Sequence, residues 1–322
     1  MSRSGPQPAA LADAPAAGLR ASQEHPPSTA RLAAAFAAVY VIWGSTYLAI
    51  RVAIETIPPF TMAATRFLLA GAVLYPWARA RGDGPRPTAV HWRNTVLLGA
   101  LLLTCGNGAV VWAEQFVPSG LVALVVGMLP LWMVLVDWLW GPGPRPGLLL
   151  IAGLLWGLFG VGLLASSGGL SAGTGSPIVP ALVVMGGGIA WAIGSIRAKQ
   201  TDLPLQPGLA PAMEMLCGGA LLLLLGVLTG ELGRFDLAAV SARSLIAVLY
   251  LATFGSLIAF SAFVWLMKVT TPARVATYAY VNPVVALLLG WALADEPLTV
   301  RTLMAAATIL SAVVLVATRR AS

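Results

Sequence analysis

Charge is what this chain has least of. Only 10% of its 322 residues are Asp, Glu, Lys or Arg, while 58% are hydrophobic, and the mean hydropathy is +0.86. An average globular domain carries about 25% charged residues. A soluble chain of this length could not hide so much apolar surface, so lipid is the expected solvent for most of it. Histidine and cysteine are equally scarce. The two histidines, His25 and His91, fall in polar segments and leave no basis for a histidine metal centre, so neither a metal nor another cofactor is expected. The two cysteines, Cys105 and Cys217, lie in apolar segments and read as small core residues rather than a disulfide. No phosphate-binding glycine fingerprint and no nucleophile elbow occurs, which argues against an enzyme. The net charge of +7 does not imply nucleic acid, because the basic residues are scattered among short loops and chain ends.

What is present is a series of long apolar runs. A helix needs about 20 mainly apolar residues to cross a bilayer. Ten segments qualify: 32–53, 60–78, 95–113, 119–138, 147–165, 178–198, 208–229, 244–267, 273–293 and 299–317. Lipid offers the backbone no hydrogen bonds, so these are expected to be helices and the chain an all-α integral membrane protein. Turn chemistry marks the joints, at Pro58-Pro59, in the Gly82–Pro87 run, in the Gly141–Gly147 run and in the Gly/Ser-rich stretch 166–177. Residues 1–31, rich in Ala, Pro, Ser and Gly, read as a disordered tail without the apolar core of a signal peptide. With the N-terminus inside, fourteen of the 19 basic residues fall in cytoplasmic segments and four (Arg51, Arg234, Arg243, Arg301) outside, which places both termini in the cytoplasm. Only Arg66 is left over.

The chain repeats itself. A shift of 153 residues places Val111-Trp112 on Val264-Trp265, Pro130 on Pro283, Trp138 on Trp291 and Pro144 on Pro297. A shift of 148 places Trp43 on Trp191, Arg51 on Lys199 and Gly71 on Gly219. The halves are 32–166 and 178–318, joined by a linker at 167–177 and followed by a basic end at 319–322. Five helices is an odd number, so the second half enters the membrane from the opposite side. Such an inverted repeat is the architecture of many secondary transporters.

Trp43-Gly-Ser-Thr, Thr65-Arg66-Phe67, Asn282-Pro283 and the Asp295-Glu296-Pro297-Leu298 run resemble the EamA family of the drug/metabolite transporter superfamily. The resemblance spans about residues 32–318. It implies ten helices in two repeats around a central cavity, moving metabolites, amino acids or drugs across a bacterial inner membrane, often outward. The family often has an acidic residue between its fourth and fifth helices. Here that stretch is Gly141-Pro-Gly-Pro-Arg145, so the first repeat lacks a counterpart of Glu296.

Ionisable residues at membrane depth are expensive and point to function. Arg66, seven residues past Pro59, is expected about 10 Å below the outer face at 1.5 Å per residue. The 148 shift places Glu214 on Arg66, about 9 Å above the inner face by the same rise. Arg66 has Glu55 and Glu114 as expected partners; Glu214 has Arg197, Lys199 and Lys268. Two readings stand side by side: outer and inner gating latches or substrate contacts, or static pairs and snorkelling side chains. Glu214 is also the best proton-coupling group, although a facilitator needs none.

Trp43 and Tyr47 share a helix face, as do Tyr278 and Asn282. With Asn107, which sits between two glycines, and Trp191, they form the expected pocket, suited to amphipathic or zwitterionic solutes. The alternative for each Trp and Tyr is the interfacial aromatic belt. Pro130 and Pro283 are matched hinges or simple packing elements. Gly153, Gly157 and Gly160 read as a ridge for helix packing, within a monomer or between the copies of a homodimer. The expected partners are a small solute, the lipid bilayer and, as a coupling ion, the proton. The expected function is secondary transport, with efflux by alternating access first, passive facilitation or import second, and a non-transporting receptor third.

Overall fold

A computed structural model describes residues 28–82, 84–140, 147–165 and 178–318. The linker at 167–177, the 141–146 run, the basic end 319–322 and residues 1–27 of the expected tail lie outside the described residues. No strand occurs among those described. Ten helical stretches follow in order: α1 Thr29–Ala53, α2 Pro59–Arg81, α3 Ala89–Ala113, α4 Ser119–Trp140, α5 Leu148–Ala165, α6 Ile178–Ala198, α7 Leu209–Leu228, α8 Ala242–Val269, α9 Tyr278–Ala294 and α10 Val300–Thr318. Six of them (α1, α3, α4, α6, α7 and α8) are long and apolar enough to cross a membrane. The stretches Ile151–Leu163, Tyr278–Ala294 and Val300–Ala312 are apolar but shorter. α2 is interrupted in its apolar character by Arg66, Arg79 and Arg81.

Helix starts follow local chemistry. Ser28 caps α1 by accepting from the Arg31 amide at 3.3 Å, so the helix begins inside the stretch expected as tail. Proline at the first position sets the start of α2. The expected continuous helix over 273–293 is instead a turn at Pro272–Val275 and a helix from Tyr278. The Thr277 hydroxyl donates to the Arg274 carbonyl at 2.6 Å and bonds Tyr40 Oη at 2.6 Å, which holds this break.

Packing is symmetric between the halves. α2 packs along α7 and α5 along α10; α3 against α6 is matched by α8 against α1, and α4 against α6 by α9 against α1. The mates run antiparallel. The start of α2 meets Glu231, just past the end of α7, while Gln206, just before α7, donates to the Pro85 carbonyl past the end of α2. A two-fold operation that exchanges antiparallel helices lies across them, which is the geometry of an inverted repeat. Close approach is built on glycine. A Cβ on Gly99 would lie 2.8 Å from the Gly218 nitrogen, and one on Gly187 would lie 2.6 Å from Ala109 Cβ, so α3 seats against α7 and α6 backbone to backbone. The expected ridge at Gly157 and Gly160 faces Met128 of α4 and Thr308 and Ile309 of α10, an internal contact. The outer flanks stay apolar, with Val73, Leu155, Ile246 and Leu288 exposed. Cys105 is exposed there too, on the outside of α3 rather than in the core.

Candidate functional site

Three π-helical segments interrupt the bundle, at Ala38–Ile42 in α1, Ala100–Asn107 in α3 and Leu251–Phe260 in α8. The 153 shift carries 100–107 onto 253–260, so two of them are repeat mates. π-turns are rare and concentrate at functional sites. The second and third contribute to the wall of one cavity of about 70 Å³, and Trp43, directly after the first, lines it too; the other lining residues include Tyr47, Arg66, Phe67, Gly106 and Asn107 from the first half and Gly188, Trp191, Gly255, Phe260 and Tyr278 from the second. By the room one water needs, the cavity holds on the order of five waters.

Arg66 is the one charged residue among those lining the cavity. It is 4% exposed, its guanidinium lies 4.3 Å over the Phe67 ring, and Nε and Nη1 have no hydrogen-bond partner. Glu114 is fully buried, within electrostatic reach of Arg66, Arg51 and Glu296, and both its carboxylate oxygens are also without a partner. Arg51 instead donates to the Glu114 backbone carbonyl. Asn107 presents a buried, unpartnered Oδ1.

Aromatic rings close one side of the cavity. Trp43 packs edge-on to Trp191 with centroids 5.7 Å apart and to Tyr278 at 5.1 Å. Phe263 leans on Trp43 at 5.1 Å and Trp191 at 5.5 Å, and Trp43 Nε1 donates to the Gly255 carbonyl at 3.2 Å. Behind this septum lies a wider cleft of about 460 Å³ lined by Phe263, Leu102, Ser195, Lys199, Asp202, Glu214 and Lys268. Glu214 is 1% exposed, with Oε2 unpartnered.

Away from this cleft, two carboxylates from the second half each bind a helix start of the first half. Glu231 accepts from the Phe60 and Thr61 amides at 3.1 and 2.7 Å and from Thr61 Oγ1 at 2.9 Å. Glu296 accepts from the Ser119 amide and Oγ at 2.8 Å each and from the Gly120 amide at 3.1 Å. Each carboxylate satisfies the orphan amides of a helix start in the first half and meets the positive end of its dipole.

The structure brings together Trp43, Tyr47, Asn107, Trp191, Tyr278 and Arg66, and it gathers Glu214, Lys199 and Lys268 in the second cleft. Three expectations change. Asn282 is buried but does not line the cavity; in the amide orientation that suits its neighbours, its nitrogen donates to the Tyr40 and Tyr278 carbonyls at 2.9 and 3.2 Å. Glu55 is no partner of Arg66. It sits in the turn after α1, 3.9 Å from Arg243, with both side chains exposed. Among the described residues neither Arg66 nor Glu214 forms an ion pair, and Arg197 is exposed outside the cleft. Pro130 follows a break in α4 at Gly127–Met128, whereas Pro283 lies inside the helix of α9. Proline has no amide hydrogen, so Pro283 removes one rung of the ladder inside α9, whereas Pro130 sits in the first turn after the break and removes none. Phe260, Phe263 and the capping role of Glu231 carried no sequence signal, because each sits in an ordinary-looking run; Phe67 stood in the Thr65-Arg66-Phe67 motif without being read as a cavity residue.

A family model described as the EamA-like transporter family matches residues 31–166 and 179–318, one copy per half. The chain belongs to that family. The inner membrane transporter YedA of Escherichia coli (strain K12) is 42% identical over 281 residues, which cover 87% of this chain and 88% of that one. Protein PecM of Dickeya dadantii is 29% identical over 279 residues, covering 85% and 88%. The transporter YvbV of Bacillus subtilis is 25% identical over 293 residues, covering 90% and 92%. A solved structure titled "Crystal structure of protein" matches the fold with a TM-score of 0.62 at 23% identity, over 92% of this chain and all of that one. The chain is thus a transmembrane, EamA-type membrane transporter.

Proposed function

We propose that this protein is a secondary transporter that carries a small organic solute out of the cell by alternating access. All ten helices cross the bacterial inner membrane as two inverted sets of five, with both termini and the Lys199–Lys268 end in the cytoplasm. The observation that carries the reading is the cavity itself. It draws its lining from both repeats, and a septum of aromatic rings stands between it and a wider cleft at one end. A fixed midplane site at a repeat interface is what rocking halves alternately expose. In this account the described state is shut at the Glu231–Glu296 end. Trp43, Trp191, Phe263 and Tyr278 form the inner gate. The break before Pro130 in α4 and the rung missing at Pro283 in α9 are where the helices bend as the halves rock. Glu214, buried at the wall of the cytoplasmic cleft, is the group proposed to exchange a proton with the pathway.

The test is uptake into proteoliposomes holding the purified chain, using labelled organic acids, amino acids and organic amines, with and without an imposed proton gradient. Saturable entry of one class above empty liposomes is the expected result. Flux that ignores the gradient makes the protein a facilitator. Flux of none of them, with correctly oriented protein, overturns the reading.

A further inference from the structure

We propose that the central cavity selects a small organic carboxylate with an apolar body, and that Arg66 is its anchor. Arg66 is the sole charged residue among those lining the cavity, and no acidic side chain lines it. A solute cation would meet a buried guanidinium and no acidic side chain in the lining, whereas a carboxylate meets a planar fork of donors. Those donors are vacant. Nε and Nη1 of Arg66 have no partner although the residue is 4% exposed. Buried polar groups left unpaired are costly, and in native proteins they ordinarily find a protein, water or ligand partner. Glu114 does not fill this role. Its buried carboxyl group lies within electrostatic reach of Arg66 without making a hydrogen bond to it and without lining the cavity. The hydrogen-bonding fork of Arg66 therefore stays open. The guanidinium lies over the Phe67 ring at 4.3 Å, a cation–π contact that uses none of its N–H donors. The rest of the lining is apolar or aromatic, with Trp43, Trp191, Phe260 and Tyr278 facing a space that would take a solute's body. The unpartnered Asn107 Oδ1 adds an acceptor at the same wall.

The inference deepens the transport reading and rests on it for the site, but it is tested by binding, apart from flux. The probe is radiolabelled phenylacetate, bound to the purified chain in lipid nanodiscs, with phenylacetamide and phenethylamine as competitors of the same body. The acid is expected to bind, and the amide and amine to compete at least about tenfold less well, the scale of a charge-assisted hydrogen-bonded pair. Arg66→Gln is expected to weaken phenylacetate binding by about 10- to 100-fold, and Arg66→Lys by less, since an ammonium keeps the charge and loses the fork. Equal competition by phenethylamine, no specific binding of phenylacetate, or wild-type binding by Arg66→Gln would each overturn the proposal. If Arg66→Gln does not fold, the competition series and Arg66→Lys still decide it. Binding without flux in proteoliposomes sinks the transport reading and leaves the anion site standing. Flux that does not depend on the carboxylate does the reverse.

Discussion

Glu296→Ala is expected to loosen the closed end of the bundle, and the size of the effect follows from its bonds. The carboxylate accepts three hydrogen bonds, at 2.8, 2.8 and 3.1 Å, from Ser119 and Gly120. Ser119 is fully buried and Gly120 is buried, so alanine would leave two amides without a partner. A hydrogen bond to a charged group is worth about 1.5–3 kcal/mol, and loss of a helix cap costs about 0.5–2 kcal/mol. Three bonds to one carboxylate are not additive, so about 3 kcal/mol is expected for the set. At about 2 °C per kcal/mol for a large chain, Tm in detergent should fall by roughly 6 °C. Glu296→Gln, which keeps an acceptor oxygen but brings an amide donor against other donors, should fall between. Gly290→Ala tests the same contact from the other side, because a Cβ there would overlap Glu296 Oε2. A Tm shift below about 2 °C for Glu296→Ala, on the same scale, would refute the reasoning.

Other substitutions separate packing from function. Asn282→Leu should lower stability by about 1–3 kcal/mol by thermal unfolding, through its two lost carbonyl contacts, and leave solute affinity unchanged. Gly187→Leu should prevent stable assembly, seen as aggregation on gel filtration, because its Cβ would lie 2.6 Å from Ala109 Cβ and 2.9 Å from the Cys105 carbonyl. Glu55→Ala should shift stability by no more than about 0.5 kcal/mol, since its 3.9 Å contact with Arg243 is exposed; a larger loss would mean that Glu55 has a buried partner after all.

Much of the fold was legible because apolar run length and proline joints act locally. The helical stretches and the division into halves follow from hydropathy, turn chemistry and the repeat offsets. The cavity wall was legible where polar or aromatic residues stood out against that background, as at Trp43, Asn107, Trp191 and Tyr278. Two kinds of feature were not. Glu55 and Glu114 look equivalent in sequence, each near a helix end, and only the packing of α3 buries one and leaves the other in solvent. The π-turns before Trp43 and through Asn107 have no propensity signature, yet they set which residues point inward. Asn282 shows the same limit: it shares a helix face with Tyr278, but the Tyr40 and Tyr278 carbonyls take the amide that a solute would otherwise meet.

The central claim is that solute passes through the cavity between the repeats, and filling that cavity tests it most directly. Gly188 lines the cavity, and a Cβ there would meet only Trp132, at 3.4 Å, so leucine should fit without parting the helices. Saturable uptake of a transported solute into proteoliposomes should fall at least about tenfold in Gly188→Leu, with Tm and elution volume unchanged, as the side chain takes the space the solute needs. Uptake at the wild-type rate in this folded variant would contradict the account.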